Sequence, residues 1–254
     1  MVAEKKLLMS ISDGVAIVTF NRPAQRNALD TELIEELREC LSGLSSSPDV
    51  GACVLTGAGP AFCAGADLKQ RLKMTAGEQV AQLEGIFQCS NLLEQLPVPV
   101  IAAVNGPAYA GGLELAVACD IRIAAANAVF CLSEVSLGIF PGAGSPIRLQ
   151  RLVGRGQAKL MIFSGEPIGA DEALRIGLVE RTVPGEKLME EALGLATRIA
   201  ANSRPGVQAA KLLMNSSGEM SFSAAMALSN SLRHPLSRTK ESTEGLERFS
   251  RKEQ

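Results

Sequence analysis

The stretch from residue 97 to residue 120 constrains the fold more than any other part of the chain. Residues 97–106 form a short apolar run bounded by proline and glycine, which predicts a buried strand. Gly111 and Gly112 then allow a tight turn and a close approach of the backbone to a ligand. The helix that follows begins with unpaired N–H groups, which together with the helix dipole can stabilise a developing negative charge. We therefore expect the rest of the chain to hold this strand, turn and helix in place.

Glu114 is the acid in the first turn of that predicted helix. It follows Gly111 by three residues, so on a helix the two lie on about the same side. Its neighbours are apolar, and burial among them would raise the pKa of the carboxyl group toward a range that suits proton transfer. An acid in a first helical turn can also serve only to complement the helix dipole. The segment by itself leaves both interpretations open.

The composition excludes several classes of protein. The 254 residues include 25 Lys and Arg against 27 Asp and Glu, a balance that gives no reason to expect a nucleic acid or a membrane surface as partner. Charges interrupt the apolar stretches, so no transmembrane span is predicted. His234 is the single histidine, which excludes a histidine-based triad or a multi-histidine metal site within the chain. The absence of any Gly-Lys pair excludes a P-loop.

The cysteines and the N-terminal residues indicate a cytoplasmic protein. The six cysteines form no C-x-x-C pair and most lie in apolar runs, which is typical of reduced core thiols. The first ten residues contain an acid and soon become polar, unlike a signal peptide, so we expect no export. The cysteines are Cys40, Cys53, Cys63, Cys89, Cys119 and Cys131.

Alternating strand and helix patterns predict an α/β fold. Residues 7–11 and 15–20 flank Ser12-Asp13-Gly14 and predict a hairpin, and Asp30 is placed to cap a helix. Further strands are expected at 52–56, 121–124, 129–132 and 181–183, and helices at 78–96, 187–201, 205–215, 222–233 and 238–252. We therefore predict an α/β core over residues 1–190 and a helical segment over residues 191–254 that serves packing and assembly.

Two other segments are candidates for chemistry. Residues 57–66 form a loop of small residues, which suits either close approach to a ligand or a tight connection. The loop lacks the third glycine of a dinucleotide-binding fingerprint, so a Rossmann site is excluded. Glu134 is a second acid among apolar residues.

Four blocks of sequence, in order and at family spacing, resemble the enoyl-CoA hydratase/isomerase (crotonase) superfamily. They are residues 62–69, residues 99–106, residues 111–116 with Cys119-Asp120, and residues 137–144. The resemblance extends over nearly the whole chain. It implies a spiral of repeated ββα units with a C-terminal helical segment that forms homotrimers, often paired into hexamers.

The resemblance also implies a set of site residues. Backbone N–H groups of Ala66 and Gly111 fall where the family binds the thioester oxygen, and Glu114 and Glu134 fall on the two acids of the hydratase branch. Many isomerases lack one of these acids. The implied substrate-binding residues are Ala64, Gly65, Ala66, Asp67, Leu68, Tyr109, Gly111 and Pro141, and the implied CoA-binding residues are Arg22, Ala24, Arg26, Lys69, Phe249 and Lys252.

The function implied is that of an enoyl-CoA hydratase, which adds water across the 2,3 double bond of a trans-2-enoyl-CoA thioester. Coenzyme A is then part of the substrate, and no metal or separate cofactor is expected. Double-bond isomerisation, a methylglutaconyl-CoA hydratase-like reaction and a catalytically silent acyl-CoA-binding scaffold remain alternatives. The chain departs from the hydratase pattern at Tyr109, at Ala110, which replaces the first of three glycines, at Ser133, and at Ser145-Pro146-Ile147, which replaces Gly-Thr-Gln.

Overall fold

The computed structural model describes residues 5–239, 241–244 and 247. The chain begins with a hairpin in which β1 (Leu7–Ser12) and β2 (Val15–Phe20) pair in antiparallel register. Asp13 and Gly14 form the turn, with φ of 50° and 73°. Both values match the two positive φ angles that a tight hairpin turn requires, so the predicted hairpin is confirmed.

A six-stranded sheet forms the centre of the molecule, in the order β1-β2-β3-β4-β6-β9. Its remaining strands are β3 (Ala52–Gly57), β4 (Val100–Val104), β6 (Ile121–Ala125) and β9 (Arg181–Val183), and every pair after β1–β2 is parallel. All residues of β3 and β4 are buried. Their continuous apolar runs reflect a sheet that is covered on both faces.

A smaller sheet carries the turn that precedes Gly111. It contains β5 (Ala108–Tyr109), β7 (Val129–Cys131) and β8 (Ile168–Gly169), with β5 parallel to β7 and β7 antiparallel to β8. Single-residue bridges join Cys63 to Ala108 and Leu29 to Ala66. These bridges bring the loop of small residues to the edge of the turn.

Nine helices with defined bounds surround the sheets, and the described residues 241–244 are helical as well. They are α1 (Thr31–Ser45), α2 (Leu68–Arg71), α3 (Ala76–Gln95), α4 (Gly111–Ala118), α5 (Ser145–Ser164), α6 (Ala170–Arg175), α7 (Leu188–Ala200), α8 (Arg204–Ser217) and α9 (Phe222–Leu236). As predicted, Asp30 caps α1, and its carboxylate accepts a hydrogen bond from the Leu33 N–H at 2.9 Å. The helix expected at 78–96 is α3, which begins two residues earlier because Thr75 and Glu78 form a capping box.

Helix α7 covers the face of the main sheet that lies opposite α1, α3 and α4. Leu188, Ala192 and Ala196 of α7 pack against buried residues of β2, β3, β4 and β6. The predicted division between residues 190 and 191 falls inside this helix, and residues on both sides of it contact the same sheet. The helix expected at 238–252 lies partly outside the described residues, and Phe249 and Lys252 lie wholly outside them.

A buried ion pair attaches α8 to the core. The Lys211 ammonium lies 2.7 Å from the Asp120 carboxylate and donates to the Val98 carbonyl oxygen at 3.1 Å. Burial raises the pKa of Asp120, and the neighbouring Lys211 opposes that rise. The first part of the C-terminal segment is therefore bound to the same core as the strands that precede α4.

The six cysteines are all free thiols, and all but Cys40 are buried, as the sequence predicted. Burial raises the pKa of Cys63 and Cys119 to about 12, so both stay protonated near neutral pH. None of the described helices combines the length and the apolar character that crossing a membrane requires.

Candidate active site

The beginning of α4 lies directly against the loop of small residues. A Cβ added to Gly112 would collide with the carbonyl oxygen of Cys63. Gly65 has a φ of +85°, and a Cβ added there would lie 2.8 Å from the Tyr109 carbonyl oxygen and 3.1 Å from the Gly111 nitrogen. Side chains at Gly65 and Gly112 would push the two segments apart. The loop therefore forms a close connection with the first turn of α4.

Ala110 precedes α4 in a backbone conformation that residues other than glycine rarely adopt, with φ 49° and ψ −124°. Such conformations cost on the order of 1–3 kcal/mol. Two hydrogen bonds hold the residue in place: its N–H donates to Cys131 at 2.8 Å, and its carbonyl oxygen accepts from the Glu114 N–H at 3.0 Å. The replacement of the first of three glycines by alanine therefore has a steric cost.

The N–H groups of Ala66 and Gly111 are unpaired within the described part of the chain. Leu29 uses both of its backbone groups beside Ala66: its N–H donates to Gly65 at 2.8 Å, and its carbonyl oxygen accepts from Asp67 at 3.0 Å. Because N–H groups alternate along an extended segment, the Ala66 N–H points away from Leu29. The Gly111 N–H belongs to the first turn of α4, which offers it no acceptor. Two unpaired donors on adjoining segments suit the stabilisation of an oxyanion.

Glu114 extends from α4 into the interior, with only 3 % of its surface exposed. Its Oε1 atom accepts three hydrogen bonds, from the Ala143 N–H at 2.8 Å, the Ser145 hydroxyl at 3.0 Å and the Ser145 N–H at 3.4 Å. Burial raises the pKa of Glu114, whereas the bonds from Ser145 and Ala143 oppose that rise because they stabilise the charged form. The expected burial of Glu114 is confirmed, and its hydrogen bonds to Ala143 and Ser145 show that it does more than complement the dipole of α4.

Glu134 begins a short 3-10 helix (Glu134–Leu137) and is also buried, with 6 % of its surface exposed. Among the described residues, no partner forms a hydrogen bond with its buried Oε2 atom. Burial, with a smaller contribution from the nearby Glu114 carboxyl group, raises the pKa of Glu134 to about 7. The fold thus brings together two acids from segments 20 residues apart. Glu114 receives donors from the distant Ala143 and Ser145, whereas the hydrogen bond that opposes the rise in the pKa of Glu134 comes from its own backbone.

Arg148 on α5 supports the loop that binds Glu114. Its Nη1 atom donates to the carbonyl oxygen of Ala143, the residue whose N–H binds Glu114, at 2.9 Å. The guanidinium group also donates to Glu94 at 2.7 and 3.0 Å and to the Asn91 side chain at 2.7 Å. Helix α3 therefore braces this loop through Arg148.

The cations that the resemblance assigns to CoA differ in their environments. The Arg22 guanidinium lies 3.0 Å from the Asp67 carboxylate and 3.2 Å from that of Asp30, and it also donates to the Ala28 carbonyl oxygen. Arg22 therefore connects three segments of the chain and is largely buried. Ala24, Arg26 and Lys69 are exposed to solvent.

The predicted substrate-binding residues lie mainly around the two unpaired N–H groups. Asp67 follows Ala66 and uses its carboxylate within the chain, where it caps α2 by accepting from Lys69 and Gln70 at 3.1 Å. Leu68 is half exposed. Pro141 is buried just before the loop that binds Glu114, and Tyr109 is half-buried in β5. Ala64, Gly65 and Gly111 belong to the two adjoining backbone segments.

Ser145 and Arg148 are contacts of the site that the sequence did not predict. Ser145 lies 31 residues from Glu114 along the chain, and no local periodicity connects the two. The one signal was the replacement of Gly-Thr-Gln by Ser145-Pro146-Ile147. In the described part of the chain, His, Cys, Asp and Glu side chains do not gather in groups of three that could bind a metal ion.

This architecture is that of the crotonase-fold enzymes. A crystal structure of enoyl-CoA hydratase from Bacillus anthracis matches it with a TM-score of 0.96 and 39% sequence identity, covering 98% of this chain and 97% of that one. The chain belongs to the enoyl-CoA hydratase/isomerase family, whose model matches residues 10–254. The resemblance and the fold class expected from the sequence are therefore confirmed.

Two curated relatives show how similar the chain is to individual members. It is 43% identical over 217 residues to a short-chain-enoyl-CoA hydratase of Clostridium acetobutylicum, covering 84% of this chain and 82% of the relative. It is 39% identical over 251 residues to a 2,3-dehydroadipyl-CoA hydratase of Escherichia coli, covering 97% of this chain and 96% of the relative.

Proposed function

We propose that this protein is an enoyl-CoA hydratase that adds water across the 2,3 double bond of a trans-2-enoyl-CoA thioester. The observation that carries the proposal is the pairing of two buried acids in a fold that also presents unpaired N–H groups at Ala66 and Gly111 within the described residues. Glu114 accepts three hydrogen bonds through Oε1, whereas the Oε2 atom of Glu134 has no partner among the described residues. The two relatives described above support hydration, because both are named as hydratases of CoA thioesters.

In the proposed mechanism, the thioester carbonyl oxygen binds between the N–H groups of Ala66 and Gly111. Negative charge moves onto this oxygen as water adds to C3 and an enolate-like state forms. The two donors stabilise that charge, and loss of one such donor typically reduces the rate by about 10²–10³. Backbone contacts hold both donors in place before the substrate binds, so little reorganisation accompanies the reaction.

The two acids share the proton transfers. Because its pKa is raised to about 7, Glu134 is protonated in a large fraction of the molecules near neutral pH, and this protonated form delivers its proton to C2. Glu114 enters as the carboxylate and holds the water with Oε2, because Oε1 is occupied by three donors. The oxygen of the water adds to C3, and its released proton returns to the pair of acids, which restores the starting state. Coenzyme A is part of the substrate, and the mechanism uses no metal or separate cofactor.

The remainder of the substrate extends toward solvent. We assign the CoA phosphates and adenosine to the surface around Ala24, Arg26 and Lys69, all of which are exposed. Arg22 supports that surface through its bonds to Asp30 and Asp67. The proposed assembly is a homotrimer or a pair of trimers, and exposed apolar side chains on α8 and α9 support it: Leu212, Met214, Phe222 and Met226.

A screen of enoyl-CoA thioesters tests the function. Crotonyl-CoA is the first substrate, because its hydration removes the absorbance of the conjugated enoyl thioester. An enzyme that only isomerises double bonds would not remove this absorbance by adding water. We expect loss of that absorbance with formation of the 3-hydroxyacyl-CoA, and longer, branched and carboxylated enoyl-CoAs then define the acyl group. Light scattering of the same preparation reports the assembly.

The outcome that contradicts the proposal is binding of acyl-CoA without turnover of any enoyl-CoA in the panel. Such a result would favour the silent scaffold. Double-bond migration without net addition of water would favour the isomerase.

A further inference from the structure

We propose that Ser145 is a positioning residue for the hydration reaction. Its hydroxyl group fixes the Glu114 carboxylate in place and favours the charged form of that carboxylate. This inference rests on the role proposed for Glu114. Position 145 is a departure from the Gly-Thr-Gln that the resemblance implies, and a glycine at this position would have no hydroxyl donor. The inference therefore concerns a property of this chain in particular.

The three donors to Glu114 all reach the same oxygen. Ala143 supplies one N–H, and Ser145 supplies an N–H and the hydroxyl, which at 3.0 Å is the closer of its two bonds. Within the described residues, no protein group forms a hydrogen bond with Oε2 of Glu114. The donors therefore decide which oxygen atom is left to hold the water.

Pro146 explains why a side-chain donor is useful at this position. A helix N-terminus normally offers several backbone N–H groups to an anion. In α5, Ser145 is the first residue and Pro146 the second, and proline has no N–H to give. The next two N–H groups both donate to Gly144 at 3.1 Å. The Ser145 hydroxyl thus replaces a donor that this helix lacks.

The surroundings of Ser145 make the hydroxyl hard to replace. Ser145 has no exposed surface, so removal of its oxygen leaves Glu114 one donor short in a buried site. The other charged groups that act on Glu114 are Arg148, which favours its charged form, and the neighbouring Glu134. Glu94 of α3 pairs with Arg148 and balances part of its charge.

The first test compares Ser145→Ala with Ser90→Ala. Ser90 is a matched control because it is also fully buried, but its hydroxyl donates to the Ile86 carbonyl oxygen within α3 at 3.1 Å. In Ser145→Ala we expect kcat for crotonyl-CoA to fall about tenfold, because the variant loses one hydrogen bond to a charged group. We expect KM to change by less than about twofold. The acidic limb of the kcat/KM profile should move to higher pH, because the lost donor favoured the carboxylate. Ser90→Ala should show neither effect.

A second measurement does not depend on catalysis. Carbon-13 NMR of glutamate side-chain carboxyl groups follows the titration of Glu114, with the resonance assigned by its loss in Glu114→Gln. We expect the Glu114 titration to move to higher pH in Ser145→Ala and to stay in place in Ser90→Ala. An unchanged titration in Ser145→Ala would overturn the inference even if the protein is a hydratase. A shifted titration in a protein that hydrates no enoyl-CoA would instead overturn the proposed function, and the role in hydration with it, while confirming the bond between Ser145 and Glu114.

Discussion

Glu114 and Glu134 carry the same side chain in two different kinds of local structure. Glu114 belongs to an eight-residue helix that is buried along its whole length, and three donors bind its Oε1 atom. Glu134 begins a four-residue 3-10 helix whose remaining residues are exposed, and its Oε2 atom has no partner among the described residues. The fold thus surrounds the two acids differently: bonds from Ser145 and Ala143 oppose the rise in the pKa of Glu114, whereas burial raises the pKa of Glu134 to about 7.

The largest effect is expected from removing the acids one at a time. Glu114→Gln and Glu134→Gln should each lower kcat for crotonyl-CoA by about 10²–10⁴, because each removes a group that acts on the reacting water or proton. Binding of saturated butyryl-CoA, measured by calorimetry, should change little, since neither change alters the backbone donors. A double variant that hydrates crotonyl-CoA at the parental rate would show that the pair is not the catalytic machinery.

A smaller effect is expected on stability, and it should depend on pH. Because the pKa of folded Glu134 is raised to about 7 from 4.5, its contribution to stability is present below pH 4.5 and is lost as the pH rises through about 7. Glu134→Gln should therefore be more stable than the parent at pH 8 by about 2 kcal/mol and similar to it at pH 5. Glu114→Gln should gain less, because donors already stabilise that carboxylate. Denaturant unfolding at both pH values measures the two differences, and equal gains for both variants would remove the distinction between the acids.

The smallest effect concerns the turn that positions Glu114. Ala110→Gly should raise the free energy of unfolding by about 1 kcal/mol, because glycine adopts φ 49° and ψ −124° without strain but loses more entropy on folding. Gly43→Ala is a useful comparison, since Gly43 lies in the last turn of α1 with open space where a Cβ would stand. A clear loss of stability in Ala110→Gly would mean that the methyl group packs usefully and that strain is not the dominant contribution.

Much of the fold could be predicted because its signals are local. Asp30 and the apolar period of α1 lie within one helix, and Ser12-Asp13-Gly14 lies between two strands. The two glycines at the start of α4 predicted a close approach of the backbone, and Gly112 does pack closely against Cys63. The four blocks of family sequence supplied the rest of the architecture.

The parts that could not be predicted depend on contacts between distant segments. The position of Arg22 in a polar loop is compatible with a CoA contact. Its guanidinium group nevertheless donates a hydrogen bond to Asp67, which lies 45 residues away in the sequence. Ser145 was noticed only as a departure from the family pattern, because its bond to Glu114 forms when α5 packs against α4. Pairings of this kind depend on the folded arrangement, and no sequence period encodes them.

The contact between Gly112 and Cys63 has a consequence for how such a protein can diversify. The atoms nearest to Gly112 are the carbonyl group and the Cβ atom of Cys63, so the spacing of the two proposed oxyanion donors depends mainly on backbone and Cβ positions. We therefore expect that the residues lining an acyl pocket can be exchanged while the two proposed oxyanion donors keep their spacing. For an engineer who seeks a new substrate, residues 63–66, 111 and 112 are the part to keep, and the variable positions lie elsewhere.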